Sequence, residues 1–433
     1  MHVADLKTVA FYTLGCKVNQ YDAQAMKENF TKAGYETRPF GDPVDVNVVV
    51  TCIVTAVGEQ KSRQMLHRVR REQPESHLVA AGCLAQKDAE KLMDLGARVI
   101  LGSQHRDQVV HLLEDAVREN VQVAAVEDVR KIPYEELSIS RQDGRTRAIM
   151  KIQEGCDRFC AYCIIPHVRG CIRSRSPEAI KKEAMRLQQA GYQEIVLTGI
   201  HLTSYGKDLD DTSLLHAVDA AAVPGLPRLR LGSLEPVIAT DDFVKRLSTY
   251  PQICPQFHLS MQSGCDSVLK RMRRRYTAYE YLESAQRLQQ AFPGCALTTD
   301  VLVGFPGETE EEFEQTLAFC LEVGFAKMHI FPFSRREGTQ ADRMPGQISR
   351  AVKAERAKRM AGLDRQMSQA FRKQMLNSVH PVLFEMLTEE GLALGHTLNG
   401  MEVSAQGGQP GTVHPVRLDS LNQDGFLGIL AVS

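Results

Sequence analysis

Three cysteines stand close together in the stretch EGCDRFCAYC, at Cys156, Cys160 and Cys163. Cysteine thiolates bind zinc or iron-sulfur clusters, and a closed structural site of either kind takes four ligands, so a group of three leaves the metal incomplete. A zinc ribbon would carry a second closely spaced cysteine pair, and the chain has none. The spacing C-x-x-x-C-x-x-C instead lets one loop hold three irons of a cubane 4Fe-4S cluster and leaves the fourth iron free. A substrate or cofactor coordinates at such a position, as at a catalytic zinc that keeps one site open.

Elements must position these ligands. Short apolar, β-branched runs alternate with helix-like segments along the chain, which predicts a parallel α/β architecture. In a first domain, residues 6–125, the runs TVAFYTLGC, VNVVVTC and HLVAAGC each stop at a cysteine: Cys16, Cys52 and Cys83. Strands of a parallel sheet point the same way, so these three cysteines gather on the edge where open α/β folds bind ligands, and there they can meet around one ion or cluster. QYDAQAMKENFTKAGY supplies a crossover helix. The charged stretch EDVRKIPYEELSISRQDGRTR reads as a linker.

A second domain, residues 142–372, offers six strand candidates: RAIMKIQ, QEIVLTG, RLRLGS, FHLSMQS, ALTTDVLVGF and KMHIFPF. Six βα units are fewer than a full barrel needs, so an open partial (β/α)6 barrel is expected, with its site at the C-terminal strand ends. The cysteine loop follows the first of these strands, at that mouth. Ser176 and Pro177 open one helix, and Thr309 with Glu312 forms a capping box on another. After a basic helix, the Gly-rich alternating tail, residues 373–433, predicts a small β-barrel.

The 433 residues, 43% hydrophobic and 24% charged, fit two or three folded domains and exclude a disordered chain. The N-terminal MHVADLKTVA has no export-signal pattern, and no apolar run of about 18 residues could span a bilayer, so no membrane partner and a cytoplasmic location are expected. In a reducing compartment the eleven cysteines read as metal ligands or buried thiols rather than disulfides. A net charge of −1 means that any nucleic acid must be bound through a local basic surface.

GCDRFCAYC on the first strand of a six-unit βα chain resembles the radical S-adenosylmethionine (SAM) superfamily. TLGCKVNQYD, VTC, AGC, CIIPHVRGCIRSR and TTDVLVGFPGET resemble the methylthiotransferases within it, over essentially the whole chain, and the tail is similar to the RNA-binding TRAM barrel. The resemblance implies two 4Fe-4S clusters. Cys156, Cys160 and Cys163 match the cluster whose free iron is chelated by SAM, which on one-electron reduction gives a 5′-deoxyadenosyl radical; Cys16, Cys52 and Cys83 match an auxiliary cluster that carries or donates sulfur. It further implies a reductase, flavodoxin or ferredoxin as electron donor, a sulfur source, and a methylthio group installed on an unactivated carbon in a dry mouth closed by the N-terminal domain. FYTLGCKVNQYDAQ, KIQEGC, GIHLTSYGKDL and HLSMQSGCDSVLKRMRRRYT resemble most the branch acting on N6-threonylcarbamoyladenosine in the tRNA anticodon stem-loop. Branches acting on isopentenyladenosine or a ribosomal protein are the alternatives. On the cysteines alone, a zinc-dependent RNA-binding module and a two-cluster electron carrier also stay open.

Thr198 and Gly199, Ser233 and Glu235, Gln262, Asp300, Gly304 and Pro306 fall at strand ends facing the expected mouth and are the candidate SAM contacts; ordinary βα turns are the competing reading. The basic clusters Lys270–Arg275 and Arg169, Arg173 and Arg175 are candidate phosphate contacts. Cys171, Cys254, Cys265, Cys295 and Cys320 read as buried thiols, with Cys171 close enough to be an adventitious ligand, and His167 reads as structural. GFPGET is no phosphate loop, since no Gly-Lys-Ser/Thr follows.

Overall fold

Six parallel strands build the first sheet of the computed structural model, which describes residues 7–431. Leu6, the first residue of the expected N-terminal domain, and the last two residues of the tail lie outside the described residues. The strands are β1 (Thr8–Thr13), β2 (Glu36–Arg38), β3 (Val46–Thr51), β4 (His77–Gly82), β5 (Val99–Leu101) and β6 (Val123–Ala125), in the order β2-β1-β3-β4-β5-β6. β3, VNVVVT, is buried at every residue, as a central strand covered on both faces must be. The three cysteines leave the ends of β1, β3 and β4, and each strand feeds a helix: α1 (Lys17–Lys32), α2 (Ala56–Glu72) and α3 (Cys83–Lys87). Cys16 itself is the N-cap of α1.

The six expected barrel strands are present: β7 (Arg147–Glu154), then, after β8 (Arg173–Ser174), β9 (Glu194–Gly199), β10 (Arg228–Leu231), β11 (Gln256–His258), β12 (Ala296–Val303) and β13 (Lys327–Pro332). They form two sheets, β10-β9-β7-β8 and β11-β12-β13, linked by single bridges Leu229↔Ile253 and Leu234↔Leu259, so the barrel is partial and open. Two details depart from the sequence reading. FHLSMQS contributes only Phe257 and His258 to β11, because beyond them it pairs with its neighbours only at the isolated bridges Leu234↔Leu259 and Gln262↔Val301. β8 was not foreseen; Arg173 and Ser174 pair antiparallel with Glu154 and Gln153 and close the edge beside the cysteine loop.

The expected caps form. Ser176 accepts from Ala179 N at 3.2 Å with Pro177 first in its helix, and Thr309 and Glu312 bond reciprocally. Helix Arg350–Met375 runs from the large barrel to the small one. There β14 (Val379–Leu387), β15 (Ala393–Thr397), β16 (Glu402–Ala405), β17 (Val413–Leu421) and β18 (Phe426–Leu430) close in the order β14-β15-β16-β18-β17.

Both flanking units share core with the central barrel. Tyr21 and Ala25 of α1 pack into its main cluster, while Ala296 and Ala326 at the starts of β12 and β13 pack with Val382, Phe384 and Val403 of the small barrel. α1 therefore lies against the large barrel, and the small barrel seals its N-terminal end.

Candidate metal centres at the barrel mouth

The cysteine loop is pinned by its backbone. Ala161 N donates to Met272 O at 3.0 Å and Ala341 N to Ala161 O at 2.7 Å, with Ala161 buried among Cys265, Val268, Phe305 and Phe333. Two glycines let the returning chain close on it. Gly155 has φ +72°, and a Cβ there would stand 1.7 Å from Cys171 O; Gly170, at φ +70°, would meet Val129 O at 1.9 Å. Phe159 takes a left-handed backbone, φ +47°, and is 49% exposed, with its ring edge-on to His167. Cys160 is buried, and Cys156 and Cys163 are partly so. Burial pushes the Cys156 thiol up to about 11 and Cys163 to about 12.

The second triad assembles as strand-end geometry requires. A Cβ on Gly15 would lie 2.9 Å from Cys52 Sγ, and Cys16, Cys52 and Cys83 act on one another electrostatically. Cys52 and Cys83 are buried; Cys16 is accessible to solvent, yet surrounding protein still desolvates it and raises its pKa, with Arg169 opposing. Cys52 is pushed up to about 11 by burial. Among the described residues the only three ligand atoms mutually within 4.8 Å belong to Cys156, Asp157 and His201. Neither cysteine triad is drawn in as tightly as one tetrahedral zinc demands, with sulfurs about 3.8 Å apart for Zn–S bonds of about 2.3 Å. Both suit a cluster that offers a separate iron to each thiolate.

Each triad receives one guanidinium that sequence reading missed. Arg169 Nε donates to Cys83 Sγ at 3.2 Å, and Arg274 Nη1 to Cys160 Sγ at 3.1 Å. Arg169 also binds Glu154, at 3.1 Å, and Asn19 of α1, and Asp22 lies beside Lys151. Burial alone would raise Glu154, but Arg169, Lys151 and Arg106 bring its pKa down. The network ties α1 to the strand that precedes the cysteine loop. The only prior signal was the i, i+3 pair Asn19 and Asp22 in KVNQYD.

Arg169, Arg173 and Arg175 are accordingly not phosphate contacts. They are at most 5% exposed, with Arg173 on the Val129 and Arg169 carbonyls and Arg175 on Glu136 and Glu183. The other basic cluster divides: Arg274 turns inward, Arg271 pairs with Glu312, and Arg273 and Arg275 stay exposed. Cys171 is exposed rather than buried, because it sits on the rim where the chain returns over Gly155. Cys254, Cys265, Cys295 and Cys320 are buried.

The candidate SAM residues separate into groups. Glu235 meets Arg158 at 2.7 Å, Arg274 at 3.0 Å and His201 at 3.1 Å; burial would raise it, but these cations hold it at about 2. Beside it Arg158 Nε and Asp157 Oδ1 are buried without a hydrogen-bond partner, whereas Glu235 Oε2 and His201 Nε2 face each other at 3.1 Å. Unsatisfied groups of both charges beside Cys156 fit a zwitterionic ligand such as the amino acid end of SAM. Ser233 and Asp300 line a cavity of about 450 Å³, and Asp300 pairs with His258 at 3.3 Å. Gln262 has φ +70° and donates its N–H to Asp300 O. Thr198 is buried, and Gly199 abuts Gln153. Gly304 and Pro306 are buried in a turn, where a Cβ on Gly304 would meet Lys353 Cγ at 2.2 Å and Glu308 accepts from Gly304 N.

A three-cysteine loop with an open ligand position at the mouth of a partial βα barrel defines a radical SAM protein, and the model of the Radical SAM superfamily matches residues 150–320. A second model, "Uncharacterized protein family UPF0004", matches residues 8–102. The chain belongs to the radical SAM methylthiotransferase family. It is 42% identical to the threonylcarbamoyladenosine tRNA methylthiotransferase MtaB of Bacillus subtilis, over 93% of this chain and 91% of that one. The protein of the same name from Thermotoga maritima is 35% identical over 98% of both. The tRNA-2-methylthio-N(6)-dimethylallyladenosine synthase of Moorella thermoacetica is 35% identical over 88% of this chain and 87% of its own. Among solved structures, the radical SAM methyltransferase TsrM of Kitasatospora setae shares the fold, with TM-score 0.55 at 13% identity, covering 78% of this chain and 74% of that one.

Proposed function

We propose that this chain is a tRNA methylthiotransferase that places a methylthio group on C2 of N6-threonylcarbamoyladenosine in the anticodon stem-loop. The observation that carries the reading is the pairing, within one chain, of two cysteine triads at the strand ends of two sheets joined through Arg169. Full-length similarity to relatives bearing that activity in their names supports the choice of substrate over isopentenyladenosine.

In this reading Cys156, Cys160 and Cys163 hold one 4Fe-4S cluster and Cys16, Cys52 and Cys83 the other. When bound, the first cluster with SAM supplies homolytic, one-electron chemistry, and the second supplies sulfur. The protein's own part is positioning. Glu235, His201, Arg158 and Asp157 offer opposite charges to the amino and carboxylate groups of SAM, while Ser233 and Asp300 stand open to its remainder. Thr198, Gly199, Gln262, Gly304 and Pro306, at the same strand ends, complete the set of candidate SAM contacts. α1, packed on the barrel through Tyr21 and Ala25, holds the auxiliary triad against it. Residues 6–125 thus carry the sulfur site, 142–372 the radical site and 373–433 an RNA-binding barrel. An external one-electron donor and a sulfur source complete the partners. No helix among the described residues is long and apolar enough to cross a membrane.

Two substitutions test the division of labour. Cys160→Ala should abolish 5′-deoxyadenosine formation, whereas Cys52→Ala should spare it and stop thiolation. Equal loss of cleavage in both folded variants defeats the partition. Mass spectrometry of tRNA nucleosides from a deletion strain should show threonylcarbamoyladenosine without its methylthio mark; persistence of the mark defeats the substrate assignment.

A further inference from the structure

The cavity of about 450 Å³ lies between the large barrel and the small one; none of the cysteines lines it, but Lys17, which follows Cys16 directly in the chain, does. Of the side chains around it only Leu231, Ala326 and Met401 are apolar; the others are charged or hydroxylated, or offer amide or imidazole groups. Half of the six charges have partners. Arg230 is held by Glu194 at 2.6 Å, Lys327 by Asp364 at 3.0 Å, and Asp300 by His258 at 3.3 Å. Glu194 is shared further with Arg228 at 2.8 Å and Arg147 at 3.9 Å, so three arginines already compete for it. Lys17 is exposed to the cavity and, among the described residues, enters no ion pair within 4.0 Å. The small barrel contributes Glu402 and Asp424, which likewise enter no ion pair among the described residues, and Ser233, Thr298 and Ser368 add hydroxyls.

An unpaired ammonium in a polar cavity has a chemical complement. Of the candidate nucleosides, one bears a carboxylate and a hydroxyl on its N6 substituent, and the other a branched hydrocarbon that would be buried against charges at a cost. C2 and C6 flank N1 in the same six-membered ring and N6 is bonded to C6, so when C2 is presented between the cysteine triads the N6 substituent lies within side-chain reach of them. Lys17, one residue from Cys16, has that reach.

We infer that Lys17 binds the threonyl carboxylate of the substrate nucleoside and thereby selects it over the isopentenyl nucleoside. The inference rests on the substrate reading above and deepens it. It also gives GCKVN, until now only a resemblance in wording, a physical role.

The test uses the full chain and fluorescent anticodon stem-loop RNAs carrying unmodified adenosine, threonylcarbamoyladenosine, its methyl ester or isopentenyladenosine. Equilibrium binding is compared within each protein preparation. The unsubstituted protein should prefer the threonylcarbamoyl RNA to the unmodified one by roughly tenfold or more, as a charge-assisted hydrogen bond provides. The methyl ester, which lacks the charge, should bind like unmodified RNA. Lys17→Gln should remove most of the preference while leaving unmodified RNA within about twofold, and Lys17→Arg should restore it. Taking a ratio within each preparation cancels any partial loss of the neighbouring metal centre.

A Lys17→Gln protein that keeps the full preference overturns the inference, as does one that weakens both RNAs in parallel, since the lysine would then bind phosphate. An unsubstituted protein with no preference, but normal methylthiolation of threonylcarbamoyl RNA, overturns it and leaves the proposed function standing. Methylthiolation of the isopentenyl RNA instead removes both.

Discussion

Each sulfur triad is addressed by one buried guanidinium, so the chain compensates the negative charge that thiolates and a cluster would bring. Hydrogen bonds to sulfur and nearby charge are the protein's main levers on cluster potential. Arg274 supplies both to Cys160, and Glu235 and Tyr276 hold it in place. Arg274→Gln should therefore lower the reduction potential of the reconstituted loop cluster by about 60 mV, the one-electron equivalent of a tenfold change. An EPR-monitored redox titration reads this, and an unchanged potential would mean that Arg274 only packs. At this scale the cysteines were legible because their spacing is covalent. The guanidiniums were not. Arg274 comes to Cys160 across 114 residues, and it points inward from a run of like charges only because Arg273 turns the chain with φ +58°.

Helix α1 is the element on which the arrangement turns, since its first residues carry Cys16 and Lys17, its Asn19 and Asp22 meet the arginine network, and its Tyr21 face packs on the barrel. Asp22 pairs with Lys151, Arg106 and Arg169, all nearly inaccessible. Removing one partner of a buried ionic group strands the others, so Asp22→Asn should cost about 3–5 kcal/mol in urea unfolding of the metal-free protein. A loss below about 1 kcal/mol would show that Glu154 and Glu135 suffice. The cysteine loop makes a second demand. Gly155→Ala would force a methyl group against Cys171 O, at 1.7 Å in the unrelaxed geometry, and should abolish iron loading at residues 156–163 while the auxiliary triad still loads. Iron and sulfide content per chain checks it, with about half the unsubstituted value expected. Strand ends, caps and the closing barrel were readable from apolar runs and turn residues. β8 was not, because two residues, Arg173 and Ser174, carry no periodicity, and only their return onto Glu154 makes them a strand.

At the scale of the whole molecule, both flanking domains dock on the central barrel through arginines, but with different electrostatic footing. The small barrel is held at the N-terminal end. Arg228 donates to His396 O and Thr397 O, and Arg147 pairs with Glu385 at 3.0 Å. Behind both stands Glu194, fully buried, which anchors Arg228 and Arg230 and lies 3.9 Å from Arg147. Burial would raise its pKa, yet the three arginines hold it at about 2, against 4.5 for a free side chain. A folded-state value below the unfolded one means that stability is present in full above about pH 4.5 and is lost as pH falls toward 2. The depression corresponds to about 3 kcal/mol. Glu194→Gln leaves the arginines without their carboxylate and should destabilise the protein by about that amount or more at pH 7. The gap between the two proteins should close progressively from pH 5 to pH 2, because acid removes from the unsubstituted chain the charge that the variant already lacks. Urea unfolding at several pH values reads both curves. A gap that stays constant across the range would mean that Glu194 holds the arginines by shape and hydrogen bonding, and that the docking of the small barrel owes nothing to its charge.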